Sequence, residues 1–233
     1  KGEYRKELED IRKQGYLRAR IDGAWVELDE APKLARHRRH DIAIAVDRLR
    51  IEPEAISGIG RPFFLWVGER HTYKNFAATL LAWSTSTAAP RTDILCVGGG
   101  PWRPGEREEI AALGAAERVH QRTCSDAELR WAYERAAGLL YTSLCEGFGL
   151  PVLEAMSLGC PVVATNGSSL PEVAGGAAIY VEASDLESIR AGIERCLSAE
   201  RSSAGAARLK AQAARFSWDA CATAHEGLYG ELD

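Results

Sequence analysis

The chain has 233 residues, 46% of them apolar and 27% charged, which suits one ordinary globular domain with an appendage. Its net charge of −4 excludes a uniformly basic nucleic-acid binder, and no apolar run reaches the roughly 18 residues of a membrane-spanning helix. The opening Lys1-Gly2-Glu3-Tyr4-Arg5-Lys6 has no apolar stretch of the kind a signal peptide needs.

Residues 1–52 read as a small α+β segment. Glu3 to Lys13 predicts a charged helix, with Tyr4, Leu8 and Ile11 at helical spacing and Gly15 as its stop. Tyr16 to Ile21 alternates, Asp22-Gly23 turns, and Ala24 to Leu28 alternates again, which is a hairpin signal. A basic run follows from Lys33 to His40, read as a solvated face, and Asp41 to Ile51 alternates once more. Residues 53–61 read as a linker.

From residue 62 the pattern becomes strand, helix, strand, helix. Phe63 to Gly68 predicts a buried strand, Asn75 to Ser84 a helix, and Asp93 to Val97 a second strand that runs into Gly98-Gly99-Gly100-Pro101. Glu106 to Leu113 predicts a helix, with a short strand at Val119. Ser125-Asp126-Ala127-Glu128 is a capping box that opens a helix to about Ala136. Gly138 to Thr142 predicts a strand and Leu150 to Leu158 a helix entered through Gly147-Phe148-Gly149. Pro161 to Thr165 and Ile179 to Val181 predict further strands, and two or three helices fill the stretch from Asp185 to Gly230. Short uninterrupted apolar strands alternating with helices predict an α/β fold with a doubly wound, parallel, Rossmann-like sheet over residues 62–233.

The six cysteines, Cys96, Cys124, Cys145, Cys160, Cys196 and Cys221, contain no C-x-x-C pair. They read as buried reduced thiols in a cytoplasmic protein.

In sheets of this kind ligands bind at the carboxyl ends of the strands. Three loops there stand out. In the first, Arg70 and Lys74 lie four residues apart just after a buried strand, a spacing that suits a diphosphate and equally suits two solvated surface charges. The second, Gly98-Gly99-Gly100-Pro101, lets the backbone approach a ligand, although a plain turn accounts for it as well. It is neither G-x-G-x-x-G nor a Walker loop. In the third, Gly147 and Gly149 bring bare N–H groups to a helix start, an anion site, with Glu146 before it and Glu154 about one turn inside. Each carboxylate can accept the protons of a sugar diol, while an exposed helix glutamate and a tight turn remain the plainer account.

The run Glu146-Gly147-Phe148-Gly149-Leu150-Pro151, with Glu154-Ala155 following, resembles the hallmark of retaining GT-B glycosyltransferases, and more closely that of family 4, the group 1 family. The likeness runs from about residue 62 to 230. It takes in Phe64 to Phe76, Val97-Gly98-Gly99-Gly100, Ser125-Asp126, Glu128-Leu129, Gly159 to Ala164 and Ser169 to Gly175. The resemblance implies a catalytic set of Glu146, Arg70 and Lys74, with the two cations holding the donor diphosphate and Glu146 accepting hydroxyls of the transferred sugar. It implies nucleotide-sugar contacts from Gly99, from Thr123 and Cys124 beside the base, from the amides of Gly147, Phe148, Gly149 and Leu150, and from Glu154 on the ribose.

It also implies a nucleotide-diphosphate sugar as donor, a glycan or lipid-linked acceptor, no metal and no other cofactor. The expected place is the cytoplasm, peripheral to the inner membrane face for a lipid-linked acceptor. The absence of Asp-x-Asp disfavours the metal-dependent GT-A alternative. A glycoside hydrolase using Glu146 and Glu154 as an acid/base pair is disfavoured because a helix start lowers a carboxyl pKa rather than raising it. The family's acceptor half has no counterpart in the sequence, so an acceptor domain is expected in cis or in trans. The Tyr73-Lys74-Asn75-Phe76 loop leans toward mannosyl transfer from GDP-mannose.

Residues 1–52 resemble instead part of the UvrB-binding region of the UvrA excision-repair ATPase, through Lys1 to Leu8, Gln14 to Gly23, Pro32-Lys33-Leu34, His40 and Val46-Asp47-Arg48-Leu49. No Walker lysine or ABC signature accompanies them. The chain therefore reads as a junction of two unrelated pieces. A UvrB-like partner is implied for the first, and no direct nucleic-acid binding is expected.

Overall fold

The computed structural model describes residues 8, 18–28, 42–44, 56, 59–199 and 202–230. The basic run at 33–40, the first predicted helix apart from Leu8, and most of the third predicted strand lie outside them. Two compact units divide between Arg50 and Ile51.

The first unit carries a three-stranded antiparallel sheet. Its strands are β1 (Arg18–Ile21), β2 (Ala24–Glu27) and β3 (Ile42–Ile44), in the order β2-β1-β3. The β1–β2 hairpin turns at Asp22 and Gly23, both at positive φ, as a two-residue type I′ turn demands. Alternation then decides the faces. Ala19 and Ile21 are buried with Leu8 and Leu28, while Arg20 is exposed.

The second unit is a six-stranded parallel sheet with helices on both faces. In chain order it runs β4 (Phe63–Val67), α1 (Phe76–Ser84), β5 (Asp93–Val97), α2 (Glu106–Ala112), β6 (Val119–Arg122), α3 (Asp126–Arg135), β7 (Gly138–Tyr141), α4 (Leu150–Ser157), β8 (Val162–Thr165), α5 (Leu170–Ala174), β9 (Ile179–Val181), α6 (Leu186–Ser198), α7 (Ser203–Ala213) and α8 (Trp218–Gly230). The strand order is β6-β5-β4-β7-β8-β9. The chain starts in the middle, winds outward to β6, then returns to pair β7 with β4 and winds the other way. The gap above β4 and β7 is the topological switch point, where open α/β sheets bind ligands.

The inner strands β4, β5, β7 and β8 are buried on both faces, so consecutive residues feed different cores. Phe63, Leu65, Leu95, Leu139 and Val162 pack with α3, α4, α5 and α7 on one side. Phe64, Trp66, Ile94, Leu140 and Val163 pack with α1, α2 and α6 on the other. Gly192 lets α6 lie close to the sheet, since a Cβ there would stand 2.3 Å from Val181 Cγ1. The Ser125–Glu128 capping box forms in full. Ile56, inside the expected linker, is buried in the first of these cores and Ile59 packs against it. The expectation of buried thiols needs correction: Cys96, Cys160 and Cys196 are buried, but Cys145 and Cys221 are exposed, and none of the six is in a disulfide among the described residues. The five-residue helix α5 was not expected. Among the described residues no helix is long and apolar enough to cross a membrane.

Candidate functional site

The loops after β4 and β7 meet above the switch point. The Leu144 amide donates to the Tyr73 carbonyl at 2.7 Å and ties them together. Asn75 sits at a φ of 66°, a left-handed position that asparagine tolerates, and its side-chain amide donates to the carbonyls of Thr142 and Ala183. With Asn75 held there, Lys74 reaches inward. Its Nζ donates to Glu146 Oε1 at 2.7 Å and to the Tyr141 hydroxyl at 3.2 Å. Both ends of this ion pair are largely buried, with side-chain exposures of 13% and 10%. Burial alone would lower the lysine pKa, but the hydrogen bonds that it donates to Glu146 and Tyr141 outweigh it and hold the ammonium above its ordinary value. Burial is the main cause that pushes the Tyr141 phenol up to about 12.

Next to the pair lies the start of α4. Gly149, at a φ of 102°, is its N-cap and offers no side chain to the helix amides. Val152 and Leu153 bond back to the Gly149 carbonyl, and Pro151 has no N–H. Among the described residues, no group of the chain accepts from the amides of Gly147, Phe148, Gly149 or Leu150. The carbonyls are treated differently. Ser169 Oγ lies 3.1 Å from the Glu146 oxygen and 2.9 Å from the Phe148 oxygen, and Ser168 Oγ accepts the Glu146 N–H at 3.0 Å. Ser169 thus fixes the loop through two carbonyls and Ser168 takes the Glu146 N–H, which leaves the amides from Gly147 to Leu150 open. An open row of amides at a helix start is a ready seat for an anion.

Arg70 does not join this group. Its side chain is only 1% exposed. Nε and Nη2 donate to Glu106 at 3.2 Å, Nη1 donates to the Gly98 carbonyl at 2.9 Å, and Nη2 also reaches the carbonyls of Gly99, Gly100 and Pro101. Arg70, expected beside Lys74 on a diphosphate, is thus engaged by other groups in this structure. Its donors already serve the glycine loop, and a carboxylate already neutralises it. Gly99 is a glycine for the same reason, since a Cβ there would stand 2.8 Å from Arg70 Nη1 and 2.9 Å from the Gly68 oxygen.

Glu154 is exposed on α4 and accepts from the Tyr133 hydroxyl at 2.9 Å through Oε2. Burial, then the carboxylate, push the Tyr133 pKa up. Both residues line a shallow depression of about 270 Å³ with Asp126, Leu129 and Arg130. Thr123 and Cys124 follow the edge strand β6, on the far side of the glycine loop from the Lys74–Glu146 pair. Thr123 is exposed, and Cys124 is partly buried with its thiol pKa raised by that burial. Tyr141, Ser168 and Ser169 were not singled out from the sequence. Tyr141 reads as the last residue of a buried strand, and the two serines lie more than twenty residues from the loop that they hold.

Residues 61–199 match the family described as glycosyl transferases group 1, and residues 1–61 match the UvrA interaction domain. The chain thus joins segments of two unrelated families. It is 44% identical over 166 residues to the O-antigen chain mannosyltransferase B of Escherichia coli, covering 69% of this chain and 44% of that protein. It is 44% identical over 63 residues to the UvrABC system protein A of Pasteurella multocida, covering 27% of this chain and 7% of that protein. Among solved structures, a sucrose-phosphate synthase from Thermosynechococcus elongatus superposes with a TM-score of 0.59 at 26% identity, over 75% of this chain and 46% of that one. A glycosyltransferase from Rickettsia africae superposes with a TM-score of 0.65 at 19% identity, over 74% of this chain and 48% of that one, and shows the shared fold. The chain spans less than half the length of these relatives. Since the first match covers more than half of its residues, the chain belongs to the group 1 glycosyltransferase family.

Proposed function

We propose that residues 62–233 are the donor-binding half of a retaining family 4 hexosyltransferase, taking a sugar from a nucleotide-diphosphate donor to a glycan or lipid-linked acceptor in polysaccharide biosynthesis. The observation that carries this is the row of unpartnered amides from Gly147 to Leu150 beside the Lys74–Glu146 pair at the switch point. The amides and the third proton of Lys74 would take the diphosphate. Their field stabilises the charge that builds on the leaving group as the glycosidic bond breaks. Glu146 Oε1 faces Lys74, which leaves Oε2 for a sugar hydroxyl. Glu154 Oε1, with Thr123, Cys124 and Gly99, would border the nucleoside. The identity with a mannosyltransferase supports mannose as the sugar. The acceptor domain would be supplied in cis or in trans, since this chain covers less than half of each glycosyltransferase relative. The reading calls for no metal and places the protein in the cytoplasm, at the inner membrane face for a lipid-linked acceptor.

Calorimetry with GDP, UDP, ADP and their sugars tests it. Lys74→Ala is expected to weaken diphosphate affinity roughly tenfold or more, because it removes a charged donor and leaves Glu146 unpaired beside the anion seat. Affinity for the nucleoside alone should fall less. Glu154→Ala should weaken the nucleoside as well. No binding of any of these nucleotides at millimolar concentration would end the reading.

A second reading rests on the match of residues 1–61 to the UvrA interaction domain, which supports a UvrB-like partner for that segment. The full chain should then retain UvrB in a pulldown, equally with and without Glu146→Ala. Failure to retain it removes the idea.

A further inference from the structure

We propose that Arg70 and Glu106 are a positioning pair, which fixes the Gly98–Pro101 loop so that its backbone amides, and not the guanidinium, face the donor. This deepens the donor-site reading above and rests on it.

The geometry starts from the peptide bond. In a trans peptide the carbonyl of one residue and the N–H of the next point in opposite directions. Arg70 gathers the carbonyls of Gly98, Gly99, Gly100 and Pro101. The N–H groups of Gly99, Gly100 and Trp102 must then point away from the guanidinium. Pro101 has none to present. Gly98, Gly99 and Gly100 stand at φ 86°, 69° and 66°, so three successive residues share the left-handed conformation that converges their carbonyls on one point. Successive N–H groups turned to one side form an anion-receptive concavity.

Glu106 completes the strut. Its two oxygens accept from Arg70 Nε and Nη2, and Oε2 also accepts the Arg103 N–H at 2.7 Å. It stands at the first residue of α2, where the helix dipole favours a carboxylate. The Trp102 ring lies over the Arg70 guanidinium at 4.6 Å and closes the fork. For Arg70 to reach a phosphate instead, it would have to leave four carbonyls and a carboxylate, and Glu106 would then stand bare near an anion.

The two roles predict opposite signs at Glu106. A phosphate-binding Arg70 would be released by Glu106→Gln, and nucleotide affinity would hold or rise. A positioning pair loses its second half, and affinity falls by roughly tenfold. Arg70→Lys separates them again. A lysine restores a point charge to a phosphate, but cannot fork onto carbonyls and carboxylate together. It should fail to rescue here. The measurements are calorimetric titration of GDP and UDP into wild type, R70K, E106Q and E106A, with hydrogen exchange at the amides of Gly98, Arg103 and Glu106. Exchange in R70K and E106Q should quicken about tenfold across 98–106 and stay unchanged across 147–153. If wild type binds no nucleotide, the donor-site reading fails and exchange alone decides the strut. Unchanged exchange in R70K and E106Q overturns the proposal. So does nucleotide affinity that holds or rises in E106Q, or one restored by R70K.

Discussion

Two glycine-rich loops follow parallel strands on the same edge of the sheet, and they solve one problem with different chemistry. A loop that offers amides must first dispose of its carbonyls. The loop after β5 gives four carbonyls to the buried cation Arg70, which Glu106 neutralises. The loop after β7 gives two carbonyls to the neutral hydroxyl of Ser169. The first anchor is charged and lies under the loop. The second is partly exposed and reaches in from the segment before α5. A charged buried anchor is costly to break, whereas a hydroxyl can be removed at modest cost. The difference teaches that one loop is set by folding and the other can be adjusted without unfolding the domain.

The largest expected effect is steric. Gly99→Ala places a Cβ against Arg70 and the Gly68 backbone oxygen at a left-handed φ, which should cost roughly 3 kcal/mol. Gly149→Ala meets Leu170 Cδ2 at 2.7 Å, a side-chain tip rather than backbone, and should cost about 2 kcal/mol. Urea midpoints check the order. A larger loss at Gly149 would reverse the comparison between the loops.

Ser169→Ala should spare stability to within about 1 kcal/mol and weaken nucleotide-diphosphate affinity about fivefold, because the carbonyls of Glu146 and Phe148 are freed to turn toward the anion. Calorimetry beside a urea curve reads both. Affinity unchanged in this variant would show that the serines do not set the amides.

Acid and alkali should separate the Arg70–Glu106 strut from Lys74. Burial works to raise the Glu106 pKa, but the Arg103 amide and Arg70 outweigh it and hold the carboxyl below its ordinary 4.5. A depressed carboxyl contributes stability that is present above the ordinary value and lost as pH falls through the depressed one. Lys74 is shifted upward, so its contribution is present below the ordinary 10.5 and lost as pH rises through its raised value. The strut should thus loosen below pH 4.5, and the contribution of the Lys74 ammonium should be lost only in strong alkali. Denaturation midpoints across pH test this, and E106Q should flatten the acid limb alone.

The smallest effect is expected at Gly147→Ala. A Cβ there meets nothing within 4 Å, and stability should move by no more than about 0.5 kcal/mol. A large loss would mean that this loop is anchored by more than its serines.

Much of the fold was legible in the residues. The apolar runs at Phe63–Val67 and Asp93–Val97 mark strands buried on both faces, and Ser125 with Glu128 marks a helix start to the residue. Helix α5 was missed because its five residues are too short to show a period. In the site, Lys74 and Glu146 were legible as charges flanking glycine turns at strand ends. The part of Arg70 was not, because its partner lies 36 residues away and a sequence does not say which way a guanidinium turns. Nor was Ser169, a hydroxyl whose value comes only from the carbonyls it meets across the switch point.

One consequence follows from the lysine that already carries its own counter-ion. With Lys74 closed on Glu146 and Arg70 on Glu106, the pocket presents little unbalanced charge to solution. Distant anions are therefore scarcely drawn toward it, and inorganic phosphate gains little by arriving. Occupancy falls to whichever guest can match many directional contacts at once, so recognition is decided at touching range instead of by attraction from afar.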